Sequence, residues 1–555
     1  MKKIIFSLGL LLIISCIDQQ EKETGHAMVV TAHTLASDIG LEIIKAGGNA
    51  FDAAIAVNYV LAVTYPRAGN IAGGGFMVYR TFDGNVGSLD YREKAPKNST
   101  KDMYLDADQN IIENFSTLGA MAVGVPGTVA GMAAIHEKFG SKPMNELLEP
   151  AIRLARQGYA INDAQAEKWD YYRDLFLEVN DSIIPFVKTD LWVAGDTLKL
   201  TELANTLELI ADSGAKEFYQ GAIAKQIVSA TGEKGILSLE DLRSYEVIWR
   251  DILSFDYKEF TIHTMAPPSS GGVALAQLFK GIEAFNLDST AHNSVEYIHL
   301  LTELERRVYA DRATHLGDPD YYDVPLDLLL DEVYIHSRMN DFNPNYKTDS
   351  EVIKAGSVAV NESHETTHFS IVDTEGNAVS ITTTLNGNFG SKLYVQGGGF
   401  LLNNEMDDFS SKPGVANQFG LVGAEANAIE PEKRMLSSMS PTIIEKNGDL
   451  CIVIGTPGGS TIITSVFQTV LNVMEYDMPI VEAVNAPKTH SQWLPDKIYY
   501  EKGMDSLLIM SLKGRGHFLE EWDQIGKMAV IYKNENGALK GAADENRSFG
   551  TVAAY

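Results

Sequence analysis

Residues 364–384 read HETTHFSIVDTEGNAVSITTT, and two arms of alternating apolar and polar residues flank a turn within this stretch. The alternation covers His368 to Asp373 and Ala378 to Thr384, with Glu375-Gly376-Asn377 between them. A period of two on both sides of a short turn is typical of a β-hairpin. The pattern predicts two paired strands, with Thr366 at the start of the first.

The opening residues His364 to His368 also match H-E-x-x-H, the pattern of zinc proteases. That chemistry needs a helix that carries both histidines on one face. The β-branched pair Thr366-Thr367 and the alternation after it favour a strand. Ile371 and Thr374 also stand where the longer zinc motif requires Gly and His. We therefore expect neither a metal site nor another cofactor; a zinc protease is the competing hypothesis.

The same residues fit a different chemistry if the peptide bond between Glu365 and Thr366 is broken. A new N-terminal threonine has a hydroxyl nucleophile beside its own α-amino group. That amine, with an ordinary pKa of about 7.7–8.0, can accept the hydroxyl proton as the oxygen attacks an acyl group. One residue would then supply both the nucleophile and the base.

Acyl transfer also requires donors for the developing oxyanion. The apolar run 450–454 leads into Gly455-Thr456-Pro457-Gly458-Gly459-Ser460, and a helical pattern follows from Thr461. A strand, a glycine loop and a helix in this order present backbone N–H groups at a helix N-terminus. We expect Gly458 and Gly459 to serve as the oxyanion hole; a simple tight turn is the other interpretation.

A second glycine cluster, at residues 69–75, precedes the apolar strand pattern at 76–80. It lacks the Lys-Ser/Thr ending of a P-loop, and no helical pattern follows it. Nucleotide binding is therefore excluded. The 555 residues carry 45 Lys and Arg against 74 Asp and Glu, a formal net charge of −29, which would repel nucleic acid.

The N-terminal residues carry an export pattern. Lys2 and Lys3 precede the apolar run Ile4 to Ile14, and Ser15-Cys16 stands before a polar stretch. This is typical of a secretory signal, and the residues up to Cys16 resemble a bacterial lipobox whose cysteine is acylated. We expect an exported protein of the cell envelope, in the periplasm or on the outer surface, anchored to a membrane only by lipid at Cys16. An ordinary signal peptide is the alternative.

Many ordered motifs from about residue 25 to the C-terminus resemble the gamma-glutamyltranspeptidase family. The matching segments are Gly47-Gly48-Asn49-Ala50, Asp90-Tyr91-Arg92-Glu93, Pro267-Pro268-Ser269-Ser270-Gly271-Gly272, Ala310-Asp311-Arg312, Thr366-Thr367-His368-Phe369-Ser370, Thr384-Leu385-Asn386, Asn403-Asn404-Glu405-Met406-Asp407-Asp408, Ser437-Ser438-Met439-Ser440-Pro441 and Pro457-Gly458-Gly459-Ser460.

The resemblance implies an α+β fold, the four-layer αββα sandwich of the N-terminal nucleophile hydrolases. It also implies that one precursor cuts itself into a large and a small subunit that stay together as a heterodimer. The expected divisions are 1–24 for the signal segment and linker, 25–365 for the large subunit and 366–555 for the small catalytic subunit.

By resemblance, Thr366 is the nucleophile, Thr384 tunes its hydroxyl or amine, and Gly458 and Gly459 hold the oxyanion. The expected substrate ligands bind the amino-acid head group of a gamma-glutamyl donor, its carboxylate by a guanidinium and its ammonium by a carboxylate. They are Arg92 with Ser437 and Ser438 for the α-carboxylate, and Asp408 with Asn386 and Glu405 for the α-ammonium.

The resemblance implies a gamma-glutamyltransferase and glutathione hydrolase, acting on glutathione and other gamma-glutamyl compounds, with water or an amino acid as acceptor. A related acylase of the same superfamily and a non-catalytic exported binding lipoprotein are the alternatives. Residues 412–423 resemble the lid loop of bacterial members. Phe419 stands there in place of a common tyrosine, which removes a hydroxyl from the lid tip.

Overall fold

The computed structural model describes residues 23–353, 366–412, 415, 417–418, 423–544 and 550–555. Cys16, Glu365 and Phe419 lie outside them. The helices in this part of the chain are α1 Thr34–Lys45, α2 Ala50–Thr64, α3 Thr128–Phe139, α4 Met144–Gln157, α5 Asp163–Val179, α6 Thr201–Ser213, α7 Ala215–Gln220, α8 Ala222–Thr231, α9 Leu239–Arg243, α10 Gly271–Ile282, α11 Val295–His315, α12 Leu326–Leu329, α13 Glu332–Ser337, α14 Ser350–Ile353, α15 Thr461–Met474, α16 Ile480–Asn485 and α17 Ser506–Gly514.

Strands alternate with these helices along the chain. They are β1 Glu23–Thr24, β2 Met28–Thr31, β3 Gly74–Arg80, β4 Val86–Asp90, β5 Tyr159–Ala160, β6 Thr197–Leu198, β7 Ile248–Arg250, β8 Leu253–Tyr257, β9 Phe260–Thr264, β10 Thr366–Val372, β11 Ala378–Thr384, β12 Tyr394–Val395, β13 Phe400–Leu401, β14 Thr442–Lys446, β15 Asp449–Gly455, β16 Thr489–His490, β17 Ile498–Glu501, β18 Leu519–Trp522, β19 Ala529–Lys533, β20 Leu539–Ala543 and β21 Thr551–Ala554.

Two seven-stranded antiparallel sheets form the centre of the molecule. The first has the order β21-β2-β10-β11-β3-β4-β7 and the second β1-β20-β19-β15-β14-β9-β8. The predicted hairpin is confirmed: β10 and β11 pair antiparallel, with Thr366 opposite Thr384 and Val372 opposite Ala378. Because both strands are buried along their whole length, this hairpin lies in the core of the first sheet.

The two sheets stack face to face through an apolar layer that includes Val30, Phe76, Ile443 and Val453. Helices α1 and α2 cover the outer face of the first sheet, and α10, α15 and α16 cover that of the second. Buried apolar side chains fill both helix–sheet interfaces. The layers therefore run helix, sheet, sheet, helix, which confirms the predicted αββα sandwich.

The predicted cleavage position divides both sheets rather than separating two lobes. In the first sheet, β10 and β11 lie between β2 and β3, which come from before residue 365. In the second, β14 pairs with β9 across the same boundary. Two chains produced by cleavage there would share both sheets and the core between them, so they would remain associated. The boundaries 1–24, 25–365 and 366–555 themselves stay predictions.

No helix among the residues that the structure describes is long and apolar enough to cross a membrane.

Candidate active site

Thr366 lies at the end of the first sheet, facing the space between the two sheets. Alternate side chains of a strand point to the same face, so Thr366, His368 and Ser370 share one face of β10. This face is turned toward the second sheet, because the Ser370 hydroxyl donates to the Ala529 carbonyl of that sheet at 3.0 Å. His368, on the same face, bonds the Thr382 hydroxyl at 2.8 Å and the Ser370 hydroxyl at 3.1 Å. The β10 backbone thus aims the Thr366 side chain into the mouth of the groove between the sheets.

Thr366, Thr367 and His368 are the third to fifth residues of the H-E-x-x-H pattern. They lie in strand β10, whereas zinc binding by this pattern requires a helix. Burial lowers the pKa of His368 to about 3, so this imidazole is neutral and bonded to two hydroxyls. The residues His364 and Glu365 lie outside the described residues. The competing hypothesis of a zinc protease therefore loses the helix on which it depends.

One cavity adjoins Thr366. Nine of the predicted site residues, drawn from several segments between positions 92 and 459, line it together: Arg92, Thr366, Thr384, Asn386, Glu405, Asp408, Ser437, Ser438 and Gly459. Gly458 precedes Gly459 in the loop. The structure therefore brings the predicted catalytic and substrate-binding residues to a single place.

Thr384 lies opposite Thr366 in the β10–β11 pair, and its hydroxyl accepts the Asn386 backbone N–H at 2.7 Å. Accepting this bond turns the hydroxyl hydrogen toward another acceptor. Asn386 has a φ of 72°, a left-handed conformation that asparagine tolerates, and its side-chain amide donates to the Asn404 carbonyl at 2.9 Å. The turn after β11 is thereby held against the loop that carries Glu405 and Asp408.

The glycine loop between β15 and α15 needs glycine for steric reasons. Gly458 has a φ of 140° and Gly459 a φ of 55°, both in the range that L side chains rarely adopt. A Cβ on Gly458 would also lie 2.4 Å from the Thr461 hydroxyl oxygen. The loop leads directly into the N-terminus of α15, where backbone N–H groups have no partner within the helix.

Arg92 lines the cavity and is fully buried. Its guanidinium donates to Glu405 and, at 2.5 Å, to Asp408. Its Nε and Nη2 reach the carbonyls of Met435 and Leu436, each at 3.3 Å. The residues predicted to bind opposite ends of a substrate head group therefore neutralise one another in the absence of substrate.

The backbone of Arg92 is held by two further bonds. Asp90 accepts its N–H at 2.9 Å, and Tyr245 donates its hydroxyl to the Arg92 carbonyl at 2.8 Å. Asp90 itself ion-pairs with Arg250 at 2.7 Å and Arg434 at 3.3 Å. This buried network makes the position of Arg92 rigid.

Ser437 lines the cavity, and Ser270 supports it from behind. Ser270, in the glycine-rich turn before α10, donates its hydroxyl to the Ser437 carbonyl at 2.6 Å, and its N–H reaches the same carbonyl at 2.7 Å. The Ser437 hydroxyl accepts the Met439 N–H at 3.1 Å. The motifs 267–272 and 437–441, which the sequence presents as separate, form one wall.

Burial and crowding raise the pKa of the carboxyl groups beside Arg92. Burial raises the pKa of Glu93 to about 7, against the opposing charge of Arg92. Burial raises the pKa of Glu405 well above 4.5 against the opposing charge of Arg92, and the negative charges of Glu93 and Asp408 raise it further. Glu405 therefore holds its proton to a higher pH than an ordinary carboxyl group, and in the protonated form it has the shape and hydrogen-bonding capacity of a glutamine.

Replacing Glu405 by glutamine is expected to preserve activity and to flatten the pH dependence of stability. A raised pKa means that the folded protein binds more protons than the unfolded chain above pH 4.5, so the wild-type free energy of unfolding falls as pH rises toward the folded pKa. The variant should lose up to about 1.4 kcal/mol of that slope per pH unit. Chemical unfolding at a series of pH values above 4.5 measures it.

The matched control is Glu535→Gln, whose side chain is 87% exposed and should leave the slope unchanged. Equal slopes for wild type and Glu405→Gln would show that Glu405 is ionised in the folded protein throughout this range.

Two charged residues at or near the cavity have no role assigned from the sequence. Arg312, within the quoted motif Ala310-Asp311-Arg312, lines the cavity from α11. Glu93, next to Arg92, contributes to the charge balance. In the sequence, the signal for both residues is a charged side chain within a matching motif. A residue that only forms a surface ion pair would give the same signal.

A strand-initial threonine between the sheets of an αββα sandwich, beside a glycine loop at a helix N-terminus, defines the class of the N-terminal nucleophile hydrolases. The gamma-glutamyltranspeptidase family profile matches residues 36–555. The chain belongs to the gamma-glutamyltranspeptidase family.

Known proteins agree with this assignment. The chain is 47% identical over 523 residues to a protein of Pseudomonas aeruginosa named glutathione hydrolase proenzyme, covering 93% of this chain and 92% of that protein. The crystal structure of Helicobacter pylori gamma-glutamyltranspeptidase is 42% identical, covers 58% of this chain and 94% of its own, and has a TM-score of 0.57. A cephalosporin acylase from Bacillus halodurans, at 24% identity, covers 100% of this chain and 99% of its own with a TM-score of 0.83, which supports the fold alone.

Proposed function

We propose that this chain is a gamma-glutamyltransferase and glutathione hydrolase that is cut before Thr366 and uses the new N-terminal threonine as its nucleophile. One observation carries the proposal. The cavity that adjoins Thr366 also contains a guanidinium and a carboxylate side by side, Arg92 and Asp408. A gamma-glutamyl group presents the complementary pair, an α-carboxylate and an α-ammonium, at the end away from its reacting amide.

The proposed reaction has two steps. The Thr366 hydroxyl oxygen attacks the gamma-carbonyl carbon while its proton passes to the α-amino group of the same residue. The Gly458 and Gly459 N–H groups stabilise the oxyanion, and Thr384 donates to the Thr366 hydroxyl or amine. The amino group then protonates the leaving amine as the amide C–N bond breaks. Water or the amine of an acceptor releases the gamma-glutamyl group from the ester.

When a donor binds, the two charges of its head group would replace the ion pairs that Arg92 makes in the free protein. In the free protein, Arg92 is paired with Glu405 and Asp408. A bound donor would place its α-carboxylate against Arg92 with the Ser437 and Ser438 hydroxyls. Its α-ammonium would lie against Asp408, with Glu405 and Asn386 as further ligands. Each buried charge would keep an opposite partner, so the exchange avoids leaving an isolated charge in the site.

Glutathione is proposed as a donor because the Pseudomonas aeruginosa relative is named for its hydrolysis. The alternative, an acylase of the same superfamily, would not need two opposite charges at the far end of the cavity. A non-catalytic binding protein would not need Thr366, Thr384 and the glycine loop around one cavity.

Mass spectrometry followed by kinetics tests the proposal. The purified protein should give two fragments, one ending at Glu365 and one beginning at Thr366. The cleaved protein should hydrolyse gamma-glutamyl anilide at least about 10³-fold faster, in kcat/KM, than butyryl anilide, which lacks both head-group charges. One uncut wild-type chain, or equal rates on the two anilides, would refute it.

We also propose that the protein is exported to the cell envelope and acylated at Cys16. The support is the sequence pattern of residues 1–16 alone. In the native host, the wild type should partition into the membrane fraction and a Cys16→Ser variant should not. A wild type recovered entirely in the soluble fraction would contradict acylation, and one retained in the cytoplasm would contradict export.

A further inference from the structure

Arg312 is a buried arginine of the active-site cavity with no carboxylate partner in the described part of the chain. It is 5% exposed and lines the same cavity as Thr366. Its Nε donates to the Ser270 hydroxyl at 2.9 Å and its Nη2 to the Ser438 hydroxyl at 3.1 Å. Both partners are neutral, so its charge is not compensated by them.

Three other buried arginines of the described chain differ from Arg312 in this respect. Arg306 and Arg307, on the same helix, both ion-pair with Glu303, at 2.7 and 2.8 Å. Arg92, across the cavity, pairs with two carboxylates. A buried charge without a partner is costly. Its position in a ligand cavity indicates that the ligand supplies the negative charge.

Burial lowers the pKa of Arg312 to about 10, partly opposed by Tyr309 and Asp408. The guanidinium therefore remains protonated at neutral pH. Arg92 is ion-paired with Glu405 and Asp408 in the free protein, whereas Arg312 interacts with Asp408 only at longer range, so an incoming anion meets a less fully compensated charge at Arg312.

The hydrogen bonds of Arg312 also orient a hydroxyl. Arginine can only donate, so the Ser438 oxygen must accept from it, and the Ser438 hydrogen is directed elsewhere. On the other side, the Ser270 hydroxyl accepts from Arg312 and donates to the Ser437 carbonyl. Arg312 thus holds the serine wall in one arrangement, with the Ser438 hydroxyl set to donate into the cavity.

We propose that Arg312 is a specificity-determining positioning residue: it fixes Ser438 as a hydrogen-bond donor and supplies the unpaired positive charge that selects donors with an α-carboxylate. The inference rests on the proposed function, since it assumes a gamma-glutamyl donor. In this proposal, selection of the α-carboxylate depends on Arg312 as well as on Arg92.

Two substrates that differ only in the α-carboxylate test this role. They are gamma-glutamyl anilide and 4-aminobutyryl anilide, which is the same molecule without that carboxylate. Arg312→Gln should lower kcat/KM for gamma-glutamyl anilide by about 10- to 100-fold, mainly through KM, with a much smaller loss on the analogue. Arg312→Lys should recover part of the loss by restoring the charge. Arg515→Gln, which removes an arginine paired with Glu296 at the other end of α11, is the matched control.

Ser438→Ala separates positioning from a general structural effect. It should reproduce part of the loss on gamma-glutamyl anilide, and the double variant should lose less than the sum of the two single effects. Equal loss on both substrates in Arg312→Gln, or full additivity with Ser438→Ala, would overturn the proposal. If Arg312→Gln fails to fold or to be cleaved, Arg312→Lys and Ser438→Ala decide by the same substrate ratio.

The wild type separates this inference from the proposed function. A cleaved wild type that does not hydrolyse gamma-glutamyl anilide refutes the function itself. A wild type that prefers gamma-glutamyl anilide, with an unchanged preference in Arg312→Gln, refutes only the role of Arg312.

Discussion

Thr366→Ala is expected to remain one uncut chain and to lose turnover of gamma-glutamyl anilide by at least about 10⁴-fold. The methyl group cannot attack either the peptide bond before residue 366 or a donor amide, so one substitution should remove both reactions. The side chain is 6% exposed at the end of a buried strand, and removal of a hydroxyl and a methyl group there should leave the sandwich folded. Intact mass and anilide hydrolysis measure the two effects.

Thr366→Ser and Thr367→Val are the matched controls. Serine retains the hydroxyl, so both reactions should persist at a reduced rate. Thr367 is fully buried on the opposite face of β10, and its hydroxyl has no hydrogen-bond partner in the described structure. Its isosteric replacement by valine should leave cleavage and turnover intact. A Thr366→Ala chain that still splits and still hydrolyses the anilide would exclude Thr366 as the nucleophile.

Asp408→Asn is expected to lower kcat/KM for gamma-glutamyl anilide by about 10²- to 10³-fold. The proposed partner of Asp408 is the α-ammonium, and an amide in its place leaves that ammonium without a negative partner in a buried site. Asp408 also loses its charge toward Arg92, which it meets at 2.5 Å. The loss should be much smaller on glutaryl anilide, which lacks the α-amino group but keeps the carboxylate.

The neighbouring residue is the control for this prediction. Asp407 is buried and accepts from the Ser116 hydroxyl at 2.6 Å and the Gln418 N–H at 2.9 Å, outside the cavity lining. Asp407→Asn should leave the ratio of the two substrates unchanged, whatever its effect on stability. Equal losses on both anilides in Asp408→Asn would mean that Asp408 supports the loop rather than binding the ammonium.

The hairpin and the position of its first threonine were predictable because both depend on local pattern. Alternation over 368–373 and 378–384 distinguishes the two faces of a strand, and the structure places β10 and β11 there. The strand at Thr366–Val372, on which the argument against the zinc motif rests, was predictable for the same reason. Local periodicity carries this information without any tertiary contact.

The arrangement of charges was not predictable from sequence. The sequence predicts Arg92 as a ligand of the substrate carboxylate. In the structure it is instead paired with Glu405 and Asp408, more than 300 positions away in the chain. Neither this pairing nor the raised pKa of Glu405 has a local signature, because both depend on burial and distance. Arg312 was likewise only part of a matching motif until the fold placed it beside Ser438.

The sequence by itself determined the period-two hairpin, the threonine at its start, the glycine loop before α15 and, through its many motifs, the family. Only the tertiary structure decided which of these residues share a cavity and which charges in it are balanced. The physical reason is that backbone periodicity and turn chemistry act between near neighbours, whereas the site is assembled where two sheets meet. There, strands from both sides of residue 365 bring distant side chains within hydrogen-bonding distance.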